Sequence, residues 1–331
     1  IHPCIRGHIF ISLSILNEIC IIQKQTAMKN ILSTLITIML LLPALAIGQQ
    51  SNVDTVRLFY LGGQSNMDGY GYNSELPDEL NKTFEQVPIY HGNPAGDDKL
   101  SGGLGLWENL KPGHGTGFFS DGNSNNRSDR FGVELSFAHR LQELYPHEDI
   151  ALIKYSRGGT SIDSIAAEDF GCWEPDYHGE KGINQYDHFL KTVRKAMDVK
   201  DIDGDGREEH LVPSGIIWMQ GESDAHVEAI AKQYYNNLKH LMDLMRATFR
   251  IDDLPVVIGK ISDSWDDEDG KVWDHGDLVQ HAQEKFARSD QCAAIVRTTR
   301  YYDYSDTWHY DSEGFIDLGE QFAEAVFRLN E

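Results

Sequence analysis

The sequence predicts an α/β fold in which helices flank a central parallel sheet. The first observation is a set of short apolar runs with little alternation, which is typical of strands covered on both faces. The second is that helical patterns separate these runs, as in proteins with a parallel sheet. The strand-like runs are Val56–Leu61, Ile150–Tyr155, Gly215–Met219, Val256–Ile261 and Ala293–Arg297.

The helical patterns follow the strand-like runs in regular order. They lie near Gly132–Leu144, Gln185–Met197, His226–Phe249, Leu278–Arg288 and Glu313–Leu329. Long polar, Gly-rich stretches at 93–130, 168–184, 200–209 and 262–277 interrupt them. Several of these stretches leave the sheet at the carboxyl ends of strands, where ligands bind, and we expect them to form the substrate walls. With no internal repeat or low-complexity linker, residues 49–331 are predicted to form a single domain.

The N-terminal region is predicted to lie outside that domain. Residues 1–27 contain no methionine and are interpreted as translated sequence upstream of a start at Met28. Residues 28–48 have a basic head, an apolar stretch and small residues at the end, which is typical of a secretory signal peptide. We expect export to the periplasm or the extracellular space, without stable membrane insertion after cleavage. An uncleaved membrane anchor is the alternative.

Charge and cysteine content exclude some partners. The formal net charge is −23, which disfavours binding to nucleic acid and leaves the substrate open. Cys172 and Cys292 would remain after signal cleavage, and neither has the spacing of a metal site. They could pair in an oxidising compartment or remain two separate thiols.

Ser65 is the first candidate catalytic residue. It lies in the run Leu61–Met67, where a Gly-Gly turn follows the first predicted strand and a helix is expected to begin. A serine at such a turn exposes its hydroxyl near backbone N–H groups that can stabilise a developing anion. The alternative is a simple turn followed by a helix cap.

Asp306 and His309 form the second candidate group, just before the last predicted helix. A serine hydroxyl becomes a good nucleophile when a histidine takes its proton, and a carboxylate must orient that histidine. Residues three apart can meet within one turn, so a single loop would supply both groups.

With these motifs, the sequence resembles the SGNH (GDSL-like) hydrolase superfamily, in particular its sialate O-acetylesterase and acetylxylan esterase branch. The motifs occur in the order of that branch and span about residues 55–328. The matching segments are Gly63–Met67, Phe131–Phe137, Tyr155–Ile162, Trp218–Asp224 and the Asp306/His309 pair.

The resemblance implies a three-layer α/β/α sandwich of the flavodoxin-like SGNH type and a Ser65–His309–Asp306 triad. It also implies an oxyanion hole with donors from Gly158 or Gly159, together with the Ser65 N–H. The family's asparagine donor is missing from the third motif, so we expect Gln220 to replace it.

Supporting roles are expected for residues beside these motifs: Gln64, Asn66, Arg157 and Glu222. A carboxylate at the end of a central strand needs a partner, so Glu222 is expected either to hold Arg157 or to brace His309 as a second acid. Aromatic residues in or beside the loops could pack against a sugar ring, with Trp308 favoured, followed by Trp173 and Tyr177; Trp265 and Trp273 lie in similar positions.

Asp201, Asp203 and Asp205 resemble the start of a calcium loop, with Gly206 at the sixth place. Val212 occupies the twelfth place in place of glutamate, so a structural calcium is one reading and a solvated acidic turn is the other. The reaction itself requires no cofactor or metal.

The predicted function is that of an exported carbohydrate O-acetylesterase that acts on an acetylated sugar or polysaccharide. An acetylxylan-like substrate is favoured, and a sialate O-acetyl ester is a further option. The alternatives are a short-chain acyl esterase or lipase of the same superfamily and a non-catalytic carbohydrate-binding relative.

Overall fold

The computed structural model describes residues 18, 21–29, 54–97, 99–179, 182–268 and 270–331. Residues Ile1–Asn52 and Val53–Glu331 form two separate units. In the first unit, residue 18 and residues 21–29 are helical. Apart from Met28 and Lys29, the predicted signal peptide lies outside the described residues. No helix within the described part of the chain has the length and hydropathy needed to span a bilayer.

The second unit alternates strands and helices. The strands are β1 Asp54–Gly63, β2 Gly71–Tyr72, β3 Phe84–His91, β4 Trp107–Leu110, β5 Phe119–Ser120, β6 Asn125–Asn126, β7 Arg130–Phe131, β8 Asp149–Ser156, β9 Glu209–Met219, β10 Val256–Gly259 and β11 Ala293–Val296. The helices are α1 Ser65–Asp68, α2 Glu134–Leu144, α3 Gln185–Asp198, α4 Glu228–Phe249, α5 Gly276–Ser289 and α6 Ser312–Asn330.

The central sheet has seven strands in the order β11-β10-β9-β1-β8-β3-β4. All neighbouring pairs are parallel except β3 and β4, which are antiparallel. The five predicted strands and the five long predicted helices are all present, with ends shifted by a few residues. The predicted α/β class and central parallel sheet are therefore confirmed.

Alternate side chains of β1 pack against helices on opposite faces of the sheet. Phe59 contacts Phe137 of α2 at 5.6 Å between ring centroids. Tyr60 contacts Phe189 of α3 at 4.9 Å and Phe249 of α4 at 6.1 Å. Since successive side chains of a strand point to opposite faces, helices cover both faces. This is the predicted three-layer arrangement.

Strands β3 and β4 were not predicted from the sequence. Strand β3 contains Pro88 and two exposed polar residues, Glu85 and Gln86, so it lacks the continuous apolar pattern of the other strands. It pairs with β8 only at Ile89–His91. The stretch 93–130, expected to be an irregular loop, contains β4 and two short strands that pair as a hairpin.

Three motifs meet where β1, β8 and β9 end. Gly63 of β1 is in register with Ser156 of β8 and Met219 of β9. Gly63 has φ +146°, and a Cβ there would lie 1.9 Å from the Met219 carbonyl oxygen, so only glycine permits this close approach. The segments that follow the three strands therefore lie together at the carboxyl ends of these strands, where ligands bind in open α/β folds.

Candidate active site

Ser65 is the first residue of α1 and follows β1 after a single intervening residue. The Gln64 N–H donates to the Met219 carbonyl at 2.9 Å, which ties the turn to the neighbouring strand. A Cβ on Gly158 would lie 3.3 Å from the Ser65 Cβ, so the backbone after β8 passes directly beside the serine. Gly159 has φ +73° and faces Phe170. The glycine pair therefore forms the wall next to Ser65.

Asp306 and His309 are joined within one turn. The His309 Nδ1 lies 2.8 Å from the Asp306 Oδ2. The other oxygen, Oδ1, accepts the backbone N–H groups of Trp308 at 2.8 Å and His309 at 2.9 Å. These bonds fix the carboxylate, so the imidazole carries its proton on Nδ1 and keeps Nε2 available as a base.

The surroundings of this pair shift both pKa values. Burial would raise the pKa of Asp306, but the hydrogen bonds from His309 and the Trp308 N–H lower it below its usual value. Burial lowers the pKa of His309, partly offset by Asp306. The His309 ring also stacks on Tyr70, with centroids 3.5 Å apart and an interplanar angle of 5°. At neutral pH the arrangement therefore favours a neutral imidazole held in one orientation.

Ser65 and His309 line the same cavity, which has a volume of about 700 Å³. The predicted residues that also line it are Gln64, Arg157, Gly158, Gly159 and Trp308. Asp68, Tyr70, His91 and Phe118 line it as well and were not singled out from the sequence. The structure thus brings the predicted nucleophile and base to one cavity, with Asp306 behind the base.

Asn66 links the nucleophile turn to the histidine turn. Its Nδ2 donates to the Trp308 carbonyl at 3.2 Å, and its Oδ1 accepts the Tyr310 N–H at 3.3 Å. The bonds flank His309 on both sides. Gln64 acts similarly toward the third motif, since its Oε1 accepts the N–H groups of Gly221 and Ser223. Both residues therefore hold loops together, in line with the predicted supporting roles.

Glu222 contacts neither of the partners expected for it. Its Oε1 accepts the Asn66 Nδ2–H at 2.9 Å, so it supports the link to the histidine turn and holds neither Arg157 nor His309. Burial raises the pKa of Glu222 to about 7. The Arg157 Nη1 is buried without a hydrogen-bond partner among the described residues, and burial lowers the pKa of that guanidinium.

Gln220 does not line the cavity, so the predicted role in the oxyanion hole was wrong. It is fully buried, and its Nε2 donates to the Thr160 carbonyl at 3.1 Å and to Asp224 at 2.6 Å. Its Oε1 accepts the Tyr234 hydroxyl at 2.9 Å. Because both amide hydrogens are already used, Gln220 braces the loops behind the site.

Two of the three preferred aromatic residues are buried away from the cavity. Trp173 is fully buried, packs edge-on against Trp218 and donates its Nε1–H to Thr160. Tyr177 belongs to a small buried cluster with Ala167 and Cys172. Both expected sugar contacts were therefore wrong. Trp308 does line the cavity and is 51% exposed.

A buried ion pair lies beneath the site and was not predicted. The Lys154 Nζ donates to Glu134 Oε2 at 2.7 Å, and both side chains have zero exposure. Its other protons go to the backbone carbonyls of Asp68 at 2.9 Å and His114 at 2.8 Å. Because Asp68 ends α1, this lysine anchors the helix that carries Ser65.

The acidic loop at 201–209 precedes β9 and therefore lies at the end of that strand opposite the candidate site. Carboxylate oxygens of Asp201, Asp203, Asp205 and Glu209 all lie within 4.8 Å of one another. The two oxygens of Asp201 accept the N–H groups of Gly204 and Gly206. The three aspartates were predicted from the sequence as possible calcium ligands, whereas Glu209, which begins β9, was not.

The two cysteines remaining in the second unit are free thiols in this structure. Cys172 is buried, and burial raises its pKa to about 12. The disulfide considered from the sequence is therefore not formed.

Comparison with known proteins agrees with this architecture. The family model described as "Carbohydrate esterase, sialic acid-specific acetylesterase" matches residues 55–328. The fold and this match define an ester-hydrolysing enzyme. The chain belongs to that carbohydrate esterase family. Comparison with characterised sequences gives no significant match.

Solved structures with the same fold share little sequence identity with this chain. A protein from Arabidopsis thaliana aligns with a TM-score of 0.57 at 20% identity, over 82% of this chain and 98% of that chain. NanS aligns with a TM-score of 0.55 at 15% identity, over 83% and 98%. A carbohydrate acetylesterase from Xanthomonas citri gives 0.55 at 15% identity, over 82% of this chain and 56% of that chain. These similarities support the fold.

Proposed function

We propose that this chain is an exported O-acetylesterase that removes acetyl groups from carbohydrate through a Ser65–His309–Asp306 triad. One observation carries the proposal: Ser65 and His309 line one cavity, and Asp306 holds the His309 ring at 2.8 Å. Family membership supports the substrate type.

In the proposed reaction, His309 Nε2 takes the proton of the Ser65 hydroxyl while the oxygen attacks the acetyl carbonyl. Asp306 stabilises the imidazolium that forms. His309 then gives this proton to the leaving sugar oxygen, which leaves an acetyl group on Ser65. Water repeats the sequence, with His309 again as base, and acetate is released.

The negative charge that develops on the carbonyl oxygen needs hydrogen-bond donors. N–H groups in the first turn of a helix have no partner inside the helix, so the Ser65 N–H is available. The Gly158 backbone lies beside the serine, which makes its N–H the second donor in our proposal. Losing one such donor typically costs about 2.7–4 kcal/mol of barrier height. Gln220 is not part of this proposal.

We favour a neutral, xylan-like acetylated substrate over a sialate O-acetyl ester. The formal charge of −23 opposes the approach of an acidic polymer, although it acts at long range and is reduced by salt. Export is proposed because a basic head precedes the apolar stretch 31–47.

Substitution of the nucleophile tests the mechanism. We expect Ser65→Ala to lower kcat for hydrolysis of an aryl acetate by roughly 10⁴-fold or more. Labelling by a serine-reactive phosphonate should also disappear. Near-normal turnover in this variant would refute the triad.

A substrate panel tests the acyl and alcohol preferences. Acetate release from acetylated xylan, acetylated sialic acid and longer acyl esters should be greatest for the acetylated sugars. Preference for the longer acyl esters would favour the short-chain esterase or lipase alternative.

A further inference from the structure

A second groove, of about 470 Å³, borders the turn that carries the proposed acid and base. Residues 263–266, 300 and 302–306 line this groove, which we call the acidic groove. Asp306 faces the acidic groove, whereas Trp308 and His309 of the same turn line the catalytic cavity. The turn is therefore a thin wall between the two spaces.

The two loops that form the acidic groove are bonded to each other. The Ser264 hydroxyl donates to the Thr307 carbonyl at 2.7 Å, and the Thr307 hydroxyl donates to Asp266 at 3.3 Å. Asp263 in turn accepts the N–H groups of Trp265 at 2.8 Å and Trp273 at 3.0 Å. The acidic groove is thus built onto the catalytic turn by side-chain contacts.

Trp265 is displayed to solvent at this groove. The residue is 64% exposed, and its backbone is left-handed with φ 61°. A bulky residue rarely adopts this conformation, which costs conformational free energy. The bond to Asp263 holds it there. Trp308, 51% exposed, presents a second indole on the cavity side. An exposed aromatic residue therefore stands on each side of the wall.

We propose that the acidic groove binds sugar residues of a neutral polysaccharide whose acetylated residue occupies the catalytic cavity. This inference rests on the proposed function. It extends the substrate from an acetylated sugar to a polymer that lies across the turn between the catalytic cavity and the acidic groove. The indoles offer flat apolar faces for the C–H faces of sugar rings. The aspartate carboxylates accept hydrogen bonds from sugar hydroxyls.

The charge of the acidic groove selects against anionic chains. Four aspartates and one cation, Arg300, line it, and the Lys271 ammonium lies 5.9 Å from the Trp265 ring centroid. Carboxylates are still in excess, so a polymer that carries carboxylates would meet like charges at short range. A neutral chain has no such penalty.

Replacing the exposed indole tests the proposal. The readout is the ratio of kcat/KM on acetylated xylan to kcat/KM on a small aryl acetate. We expect Trp265→Ala to lower this ratio about tenfold, the scale of one lost aromatic contact. The loss should lie mainly in KM for the polymer, because a remote contact is made equally in the ground state and the transition state.

Leu100→Ala is the control for loss of an exposed apolar side chain, because Leu100 is 93% exposed and lines neither the acidic groove nor the catalytic cavity. Its ratio should stay within twofold of the wild-type value. Melting temperatures of both variants identify any loss of folded protein. A Trp265→Ala ratio equal to that of wild type would overturn the proposal.

Direct binding separates this proposal from the proposed function. The Ser65→Ala protein should bind xylohexaose, and adding Trp265→Ala should weaken binding about tenfold. Tighter binding of a galacturonic acid hexamer than of xylohexaose would overturn the neutral-polymer assignment. If the wild-type protein releases no acetate from any acetylated sugar, the proposed function fails, whatever the outcome of these binding measurements.

Discussion

Two pairs of a carboxylate and a nitrogen base lie near Ser65, and their bond lengths are nearly equal. Glu134 and Lys154 are 2.7 Å apart, and Asp306 and His309 are 2.8 Å apart. They differ in exposure. The first pair is fully buried, whereas the second has 11% of the histidine and 43% of the aspartate side chain exposed.

The difference lies in what remains unbonded. All three Lys154 ammonium protons have acceptors, and Glu134 also accepts the Gly132 N–H, so this pair has nothing left to offer a substrate. His309 uses only Nδ1 for its contact with Asp306, and the residue lines the cavity. A short contact between a carboxylate and a nitrogen base therefore indicates a structural role when every proton has an acceptor, and a catalytic role when one nitrogen stays open to the cavity.

Removing the charge of Asp306 tests the Asp306–His309 pair and should give the largest effect, a loss of kcat. Asp306→Asn keeps the shape of the side chain but can leave the imidazole in the wrong tautomer. We expect kcat for an aryl acetate to fall roughly 10⁴-fold, with little change in melting temperature. Glu222→Gln is the control and should lose less. A larger loss for Glu222→Gln would make Glu222 the triad acid.

Breaking the buried Glu134–Lys154 pair should give the second-largest effect, a loss of stability. Lys154→Met leaves Glu134 buried without a counter-charge, so we expect a loss of about 3–5 kcal/mol in the free energy of unfolding. Urea denaturation measures it. The double variant Lys154→Met/Glu134→Gln, which removes both charges, should be more stable than the single variant. Equal stability of wild type and Lys154→Met would show that the pair is dispensable.

Glu222 gives a smaller, pH-dependent effect. Its folded pKa of about 7 lies above the usual glutamate value of 4.5, so folding favours the protonated form. The resulting stabilisation is complete below pH 4.5 and is lost as the pH rises through 7. Relative to wild type, Glu222→Gln should therefore be more stable at pH 8 than at pH 5, by about 1–3 kcal/mol. Thermal unfolding at both pH values measures the difference, and a pH-independent difference would contradict this pKa.

The smallest effect is expected at the acidic loop, where Asp205 is already paired with Arg207 at the surface. If Asp201, Asp203, Asp205 and Glu209 hold calcium, saturating calcium should raise the melting temperature by roughly 2–4 °C for each kcal/mol of binding free energy. Asp203→Asn should reduce that rise. An unchanged melting temperature in calcium and in chelator would identify the loop as a solvated turn.

The sequence predicted the elements whose signals are local. Continuous apolar runs located five strands, and the 3.6-residue periodicity located the five long helices. Strand β3 was missed because Glu85, Gln86 and Pro88 interrupt its apolar pattern, although Phe84 and residues 87–91 are buried. Asp306 and His309 were predictable because three residues of separation are enough to bring them into one turn.

Contacts between distant segments could not be predicted in the same way. Gln220 faces Thr160, Asp224 and Tyr234, and its direction depends on the packing of α4 against the third motif. Lys154 did leave a signal, as a lone cation in the otherwise apolar run Ile150–Tyr155. Its partner Glu134 lies in the recognised Phe131–Phe137 segment, but nothing local connects the two.

Placing the acid and the base on one seven-residue stretch, 305–311, has an engineering consequence. Within this stretch, the Asp306 carboxylate accepts hydrogen bonds from the backbone N–H groups of Trp308 and His309 and contacts the His309 ring. Grafting the stretch into a relative would transfer a pre-oriented proton acceptor in one step. The recipient would need to supply an amide at the position of Asn66, an aromatic ring at that of Tyr70 and a hydroxyl at that of Ser264.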